Sequence, residues 1–83
     1  MPVVAQIDGI RIEFYFDDHA PPHFHARYGS HIIALDIKTL GVKKGSLPVP
    51  QMNAVSRWAR LRQDALLAAW YACRSGEHPG EIP

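Results

Sequence analysis

An α+β fold is predicted, with an antiparallel sheet of four or five strands in two hairpins, covered on one face by a C-terminal helix or kinked helix pair. Three observations predict it. Apolar and polar residues alternate around Asp8-Gly9, and they alternate again around Gly29-Ser30. From Met52 to Cys73 the apolar residues recur at helical spacing instead. A sheet with one apolar face needs a second layer, and the helical stripe supplies it. With 83 residues, the chain buries about 60% of its unfolded surface, enough for a single core. The domain is expected over residues 1–75. Residues 76–83 hold two Gly and two Pro and read as a flexible tail.

In the first hairpin Val3, Ala5 and Ile7 precede the turn, and Ile10, Ile12, Phe14 and Phe16 follow it. Asp-Gly suits a type I′ turn, which needs positive φ at both central residues. A two-residue loop pairs Ile7 with Ile10 and puts Val3, Ala5, Ile12 and Phe14 on their face. Gln6, Arg11, Glu13 and Tyr15 then take the opposite, wet face. The strand cannot continue through Asp17 to Pro22, because Pro21 and Pro22 remove two amide donors.

The second hairpin runs from His23 to Ile37 around Gly29-Ser30. A two-residue loop sets Tyr28 opposite His31, Phe24 opposite Leu35 and His23 opposite Asp36. Phe24, Ala26, Tyr28, Ile33, Leu35 and Ile37 then face the core. Lys38 to Gly45 suggests a turn and a short edge strand whose lysines discourage further pairing. Pro50 suits a first helical turn. Val55, Ala59, Leu66, Trp70 and Cys73 follow as a stripe, widened by Trp58, Leu61, Ala65 and Ala69. Arg62 interrupts it, so a break near Arg62-Gln63-Asp64, with Asp64 capping a second helix, competes with one long helix. Trp58 and Trp70 lie off a common stripe. One is expected to cover the sheet and the other to stand partly exposed, where it would mark a protein partner.

Composition excludes several classes of function. Charged residues are 20% of the chain and the net charge is +1, too balanced for avid nucleic-acid binding on bulk charge. The longest apolar stretch, Ala65 to Cys73, is half of a membrane span, and no basic-then-apolar leader opens the chain. A cytoplasmic protein away from membranes is expected. A lone Cys73 forms no internal disulfide or multi-cysteine zinc site, so any metal must rest on His and carboxylates.

Four of the five histidines lie between His19 and His31, close in sequence to Asp17, Asp18 and Asp36. His23, His25 and Arg27 are two residues apart on a strand and share a face. Two such imidazoles, about 7 Å apart at Cα, can chelate a divalent transition metal if Asp17, Asp18, His19 or Asp36 adds ligands. Acid-base work is an alternative. Asp36 would orient His23, and Arg27 would stabilise developing negative charge beside His25, as in RNA cleavage. No nucleophile motif or glycine-rich phosphate loop accompanies that set. Equally, the same residues could be an ordinary polar strand face. Arg57 and Arg60 share a helix face and, with Lys38, Lys43, Lys44 and Arg27, could form a local basic surface.

The run from Tyr15 to Gly29 contains Asp17-Asp18-His19, Pro21-Pro22-His23-Phe24-His25 and Tyr28-Gly29. This string resembles the bacterial family catalogued as domain of unknown function 4160. The likeness continues through Leu35-Asp36-Ile37, Gly45-Ser46-Leu47-Pro48, Trp58-Ala59 and Leu66-Leu67 to Trp70. It implies a small bacterial protein with no settled biochemistry, encoded beside another small protein in an arrangement like a toxin–antitoxin module. On that basis the leading expectation is a non-enzymatic component that binds a small partner protein encoded nearby. A nuclease acting on RNA and a metal-binding module are the alternatives, and a homo-oligomer is compatible with each. The tail departs from the resemblance, with Glu77-His78-Pro79-Gly80 where a basic end is common.

Overall fold

The alternating runs become five strands: β1 Val3–Ile7, β2 Ile10–Glu13, β3 His23–Tyr28, β4 His31–Asp36 and β5 Val42–Gly45. Two helices follow, α1 Val49–Arg60 and α2 Gln63–Arg74. A computed structural model describes residues 2–83; the expected domain start at Met1 lies outside them. The strands pair in chain order as one antiparallel meander, and both helices pack their apolar stripes on one face of it. The expected α+β class, strand number and helix pair are all present.

At the first turn Asp8 and Gly9 both have positive φ, 48° and 78°, and Ile7 pairs with Ile10. The register then slips at a bulge between Val3 and Ala5. The slip turns Val4 into the core while Val3 and Ala5 are only half-buried, correcting the expected alternation. Glu13, placed on the wet face by that alternation, is 2% exposed. Phe16 lies beyond the end of β2 and is exposed.

The second hairpin keeps its expected register, with His23 opposite Asp36, Phe24 opposite Leu35 and Tyr28 opposite His31. Beyond β4 the Asp36 carboxylate accepts hydrogen bonds from the amides of Lys38 and Thr39, at 2.8 and 2.9 Å, and so shapes the turn into β5. β5 is the exposed edge expected from its lysines. Gly45 there has φ 81°, and a Cβ at that position would collide with the carbonyl oxygen of Ile32.

The helical stripe breaks at Leu61-Arg62, and the break explains two corrections. Arg62, not Asp64, is the N-cap residue of α2, with no side-chain cap bond; Asp64 sits in the first turn, where its charge suits the helix dipole. Arg62 instead serves α1, since its guanidinium donates to the Trp58 carbonyl at 3.0 Å and lies over the indole ring. Because the break resets the helical phase, Trp58 and Trp70 both reach the core, 8% and 2% exposed, and neither stands out as expected. Residues 76–83, expected as a flexible tail, return to β1. The Ile82 amide donates to the Val4 carbonyl at 2.8 Å, and the Ile82 side chain is buried in the core.

Candidate metal centre

Strand alternation sends Phe24 and Ala26 into the core and leaves His23 and His25 on the other face, beneath the connector from Phe14 to Pro22. The connector brings Asp18 to them. His23 is nearly buried, its ring 5.1 Å from the Trp70 ring, and Tyr15 stacks on His25 with centroids 4.0 Å apart. Both imidazoles are therefore held by aromatic contacts as well as by the strand.

Hydrogen bonding determines which nitrogen of His23 faces the carboxylate. Its Nδ1 lies 2.9 Å from the Pro21 carbonyl oxygen. A carbonyl oxygen only accepts, so Nδ1 carries the proton and Nε2 of the neutral ring presents a lone pair. That Nε2 is 3.3 Å from Asp18 Oδ2, and His25 Nδ1 is 3.8 Å from the same oxygen. Asp18 Oδ2 and His25 Nδ1 are buried atoms without a hydrogen-bond partner. One ligand atom from each of Asp18, His23 and His25 falls within 4.8 Å of the others. Three atoms able to ligate a cation thus converge on one point.

Burial lowers the pKa of His25 from its ordinary value, against the opposing pull of the Asp18 carboxylate. The neutral, metal-competent ring is favoured. Burial, helped by Asp18, pushes the Cys73 thiol up and keeps it protonated, so it is no thiolate ligand.

Of the residues singled out as ligands, Asp18, His23 and His25 come together, whereas Asp17 and His19 are exposed on the connector and lie outside the cluster. Of the catalytic set, Asp36 pairs with His23 through the backbone, but its carboxylate is engaged by Thr39 and Lys38, which hold its pKa below the usual carboxylate value. Arg27 turns to Glu13, with Nε 3.5 Å from Oε2. Arg57 and Arg60 lie on the exposed side of α1 and do not join the site.

Two neighbours of the site were not singled out from sequence. Tyr15 could have been found, because the alternation puts it on the face of His25. Glu13 could not, because the cross-strand row of Glu13 and His25 emerges only from the pairing of β2 with β3.

Among the described residues no helix is long and apolar enough to cross a membrane. No curated protein and no solved structure matches the chain. A family model matches residues 9–71, a span that holds strands β2 to β5, the connector with its Asp18-His23-His25 cluster and most of the helical layer. The chain therefore belongs to the family described as Domain of unknown function (DUF4160).

Proposed function

We propose that this chain binds a divalent transition metal ion through Asp18 Oδ2, His23 Nε2 and His25 Nδ1. The observation that carries the reading is the convergence of a carboxylate oxygen and two ring nitrogens within 4.8 Å, two of the three buried without a hydrogen-bond partner. Such a point attracts a cation. Ligands 2.0–2.1 Å from a tetrahedral ion stand about 3.3 Å apart, close to the 3.3 and 3.8 Å found here. The remaining pair, the two ring nitrogens, lies within 4.8 Å, so the approach needs rotation of the imidazoles as well as closure of the connector. The bond from His23 Nδ1 to the Pro21 carbonyl is the outer contact that metal-bound imidazoles typically make, since it fixes tautomer and ring orientation. Two imidazoles and one carboxylate leave coordination positions open, so the ion keeps exchangeable water rather than being sealed in a structural site.

Calorimetric titration of the tag-free protein with Zn²⁺ and Co²⁺ tests the reading. One ion per chain is expected, with binding lost in folded His23→Ala and His25→Ala variants. Wild-type protein that takes up less than stoichiometric metal overturns it.

Other readings have weaker support. RNA cleavage calls for Asp36 as orienter, yet its carboxylate is engaged by the Lys38 and Thr39 amides, and Arg27, though close to His25, is paired with Glu13. A partner-binding role in a two-gene module rests on the family resemblance, and the buried Trp58 and Trp70 remove the surface mark expected of it. A cytoplasmic setting suits a free, buried Cys73.

A further inference from the structure

On the sheet face away from the helices, Tyr15, His25, Ile32, Ala34 and Lys44 line an open hollow of about 230 Å³. The strand register builds it. His25 pairs with Ala34, and Ala34 pairs with Lys44, so an imidazole, a methyl group and an ammonium form one row across three strands. The small Ala34 leaves a gap between two polar groups. Ile32 extends the apolar floor, and Tyr15, stacked on His25, forms a rigid aromatic wall. Among the described residues, Lys44 has no carboxylate within ion-pair distance, whereas the neighbouring Arg27 faces Glu13.

We propose that this hollow binds a small organic anion, with its charged head between Lys44 and His25 and its apolar body over Ile32 and Ala34. The Lys44 charge selects against cations. The volume lies below the roughly 300 Å³ at which pockets for drug-sized ligands begin, so the body is no larger than a single ring. In one respect the inference rests on the metal reading. A metal on His25 Nδ1 leaves the ring proton on Nε2, which makes His25 a fixed hydrogen-bond donor for the anion. Anion and ion would then share one imidazole, and each would tighten the other.

Phenylphosphonate is a suitable probe, titrated into the full chain with and without bound Zn²⁺ and followed by the Ala34 methyl resonance. Saturable binding is expected, several-fold tighter in the zinc-loaded protein. Lys44→Ala should weaken it about tenfold and Ala34→Leu, which fills the gap, should abolish it, while both variants keep wild-type zinc affinity. Zinc binding without a saturable Ala34 response overturns the proposal, as does phenylphosphonate binding that survives Ala34→Leu. If zinc fails to bind but the anion binds with the stated dependence on Lys44 and Ala34, the anion site stands and the metal reading falls.

Discussion

Replacing Asp18 with Asn should move two properties in opposite directions. In the metal-free protein the Asp18 carboxylate oxygen faces two ring nitrogens, at 3.3 and 3.8 Å, and makes no hydrogen bond. An amide of the same shape brings an N–H to the ring nitrogen of His23, while the 3.8 Å to His25 is beyond hydrogen-bond reach. A bond contributes about 0.5–1.5 kcal/mol, and a distance slightly beyond the ideal favours the lower half of that range, so the net gain is about 0.5–1 kcal/mol. For a domain of this size that corresponds to a Tm rise of about 2–8 °C. Zinc affinity should fall by more than the about 10- to 100-fold typical of losing an outer-sphere partner, because a charged ligand is lost. Thermal unfolding at pH 7.5 in EDTA and zinc titration of the same preparations measure both. A metal-free Asp18→Asn protein that melts several degrees below wild type refutes the reasoning. In that case Asp18 would be the counter-ion of a protonated imidazole, and the lone pairs would not be vacant.

Burial favours the neutral form of His25, so on acidification the unfolded chain takes up this proton first. Its contribution to stability is complete above pH 6.5, the ordinary imidazole value, and is lost as the pH falls through the lower folded value. Urea unfolding between pH 7.5 and 5 should show a flatter pH dependence in His25→Gln than in wild type; equal slopes would contradict it. Gly45→Ala meets both a left-handed backbone and the Ile32 carbonyl and should cost about 3 kcal/mol, whereas Gly29→Ala, with φ 57° and open space around it, should cost only about 1 kcal/mol. Similar urea midpoints for the two variants would remove the steric argument. Arg62→Ala strips the Trp58 carbonyl of its donor and uncovers the indole, for an expected loss of about 1 kcal/mol. An unchanged midpoint would show that water replaces the guanidinium.

Local chemistry made the hairpins legible. Asp8-Gly9 admits few alternatives to a tight turn, and the loop length at Gly29-Ser30 was enough to place His23 opposite Asp36. What escaped depends on competition between partners. An Asp at a strand end bonds the amides just ahead of it more readily than a side chain across the sheet, so backbone register alone did not locate the Asp36 carboxylate. Nothing periodic separates Asp17 from Asp18, because the connector has no repeat, and only its path over β3 selects the second. The bulge at Val4 and the burial of Glu13 are likewise tertiary results. Arg62 was visible as an interruption, but its function at the end of α1 was not, because a guanidinium reaching back to a carbonyl leaves no sequence pattern.

The division of the three ligands between one strand and one connector has a kinetic consequence. His23 and His25 belong to a strand paired on both sides, while Asp18 sits on a segment outside the ladder. An ion can enter or leave when that segment swings, with the sheet and its core intact. Exchange rates should therefore follow substitutions at Asp17, Ala20 and Pro22, and at Arg74, whose guanidinium reaches from α2 to the Asp18 carbonyl oxygen at 3.5 Å.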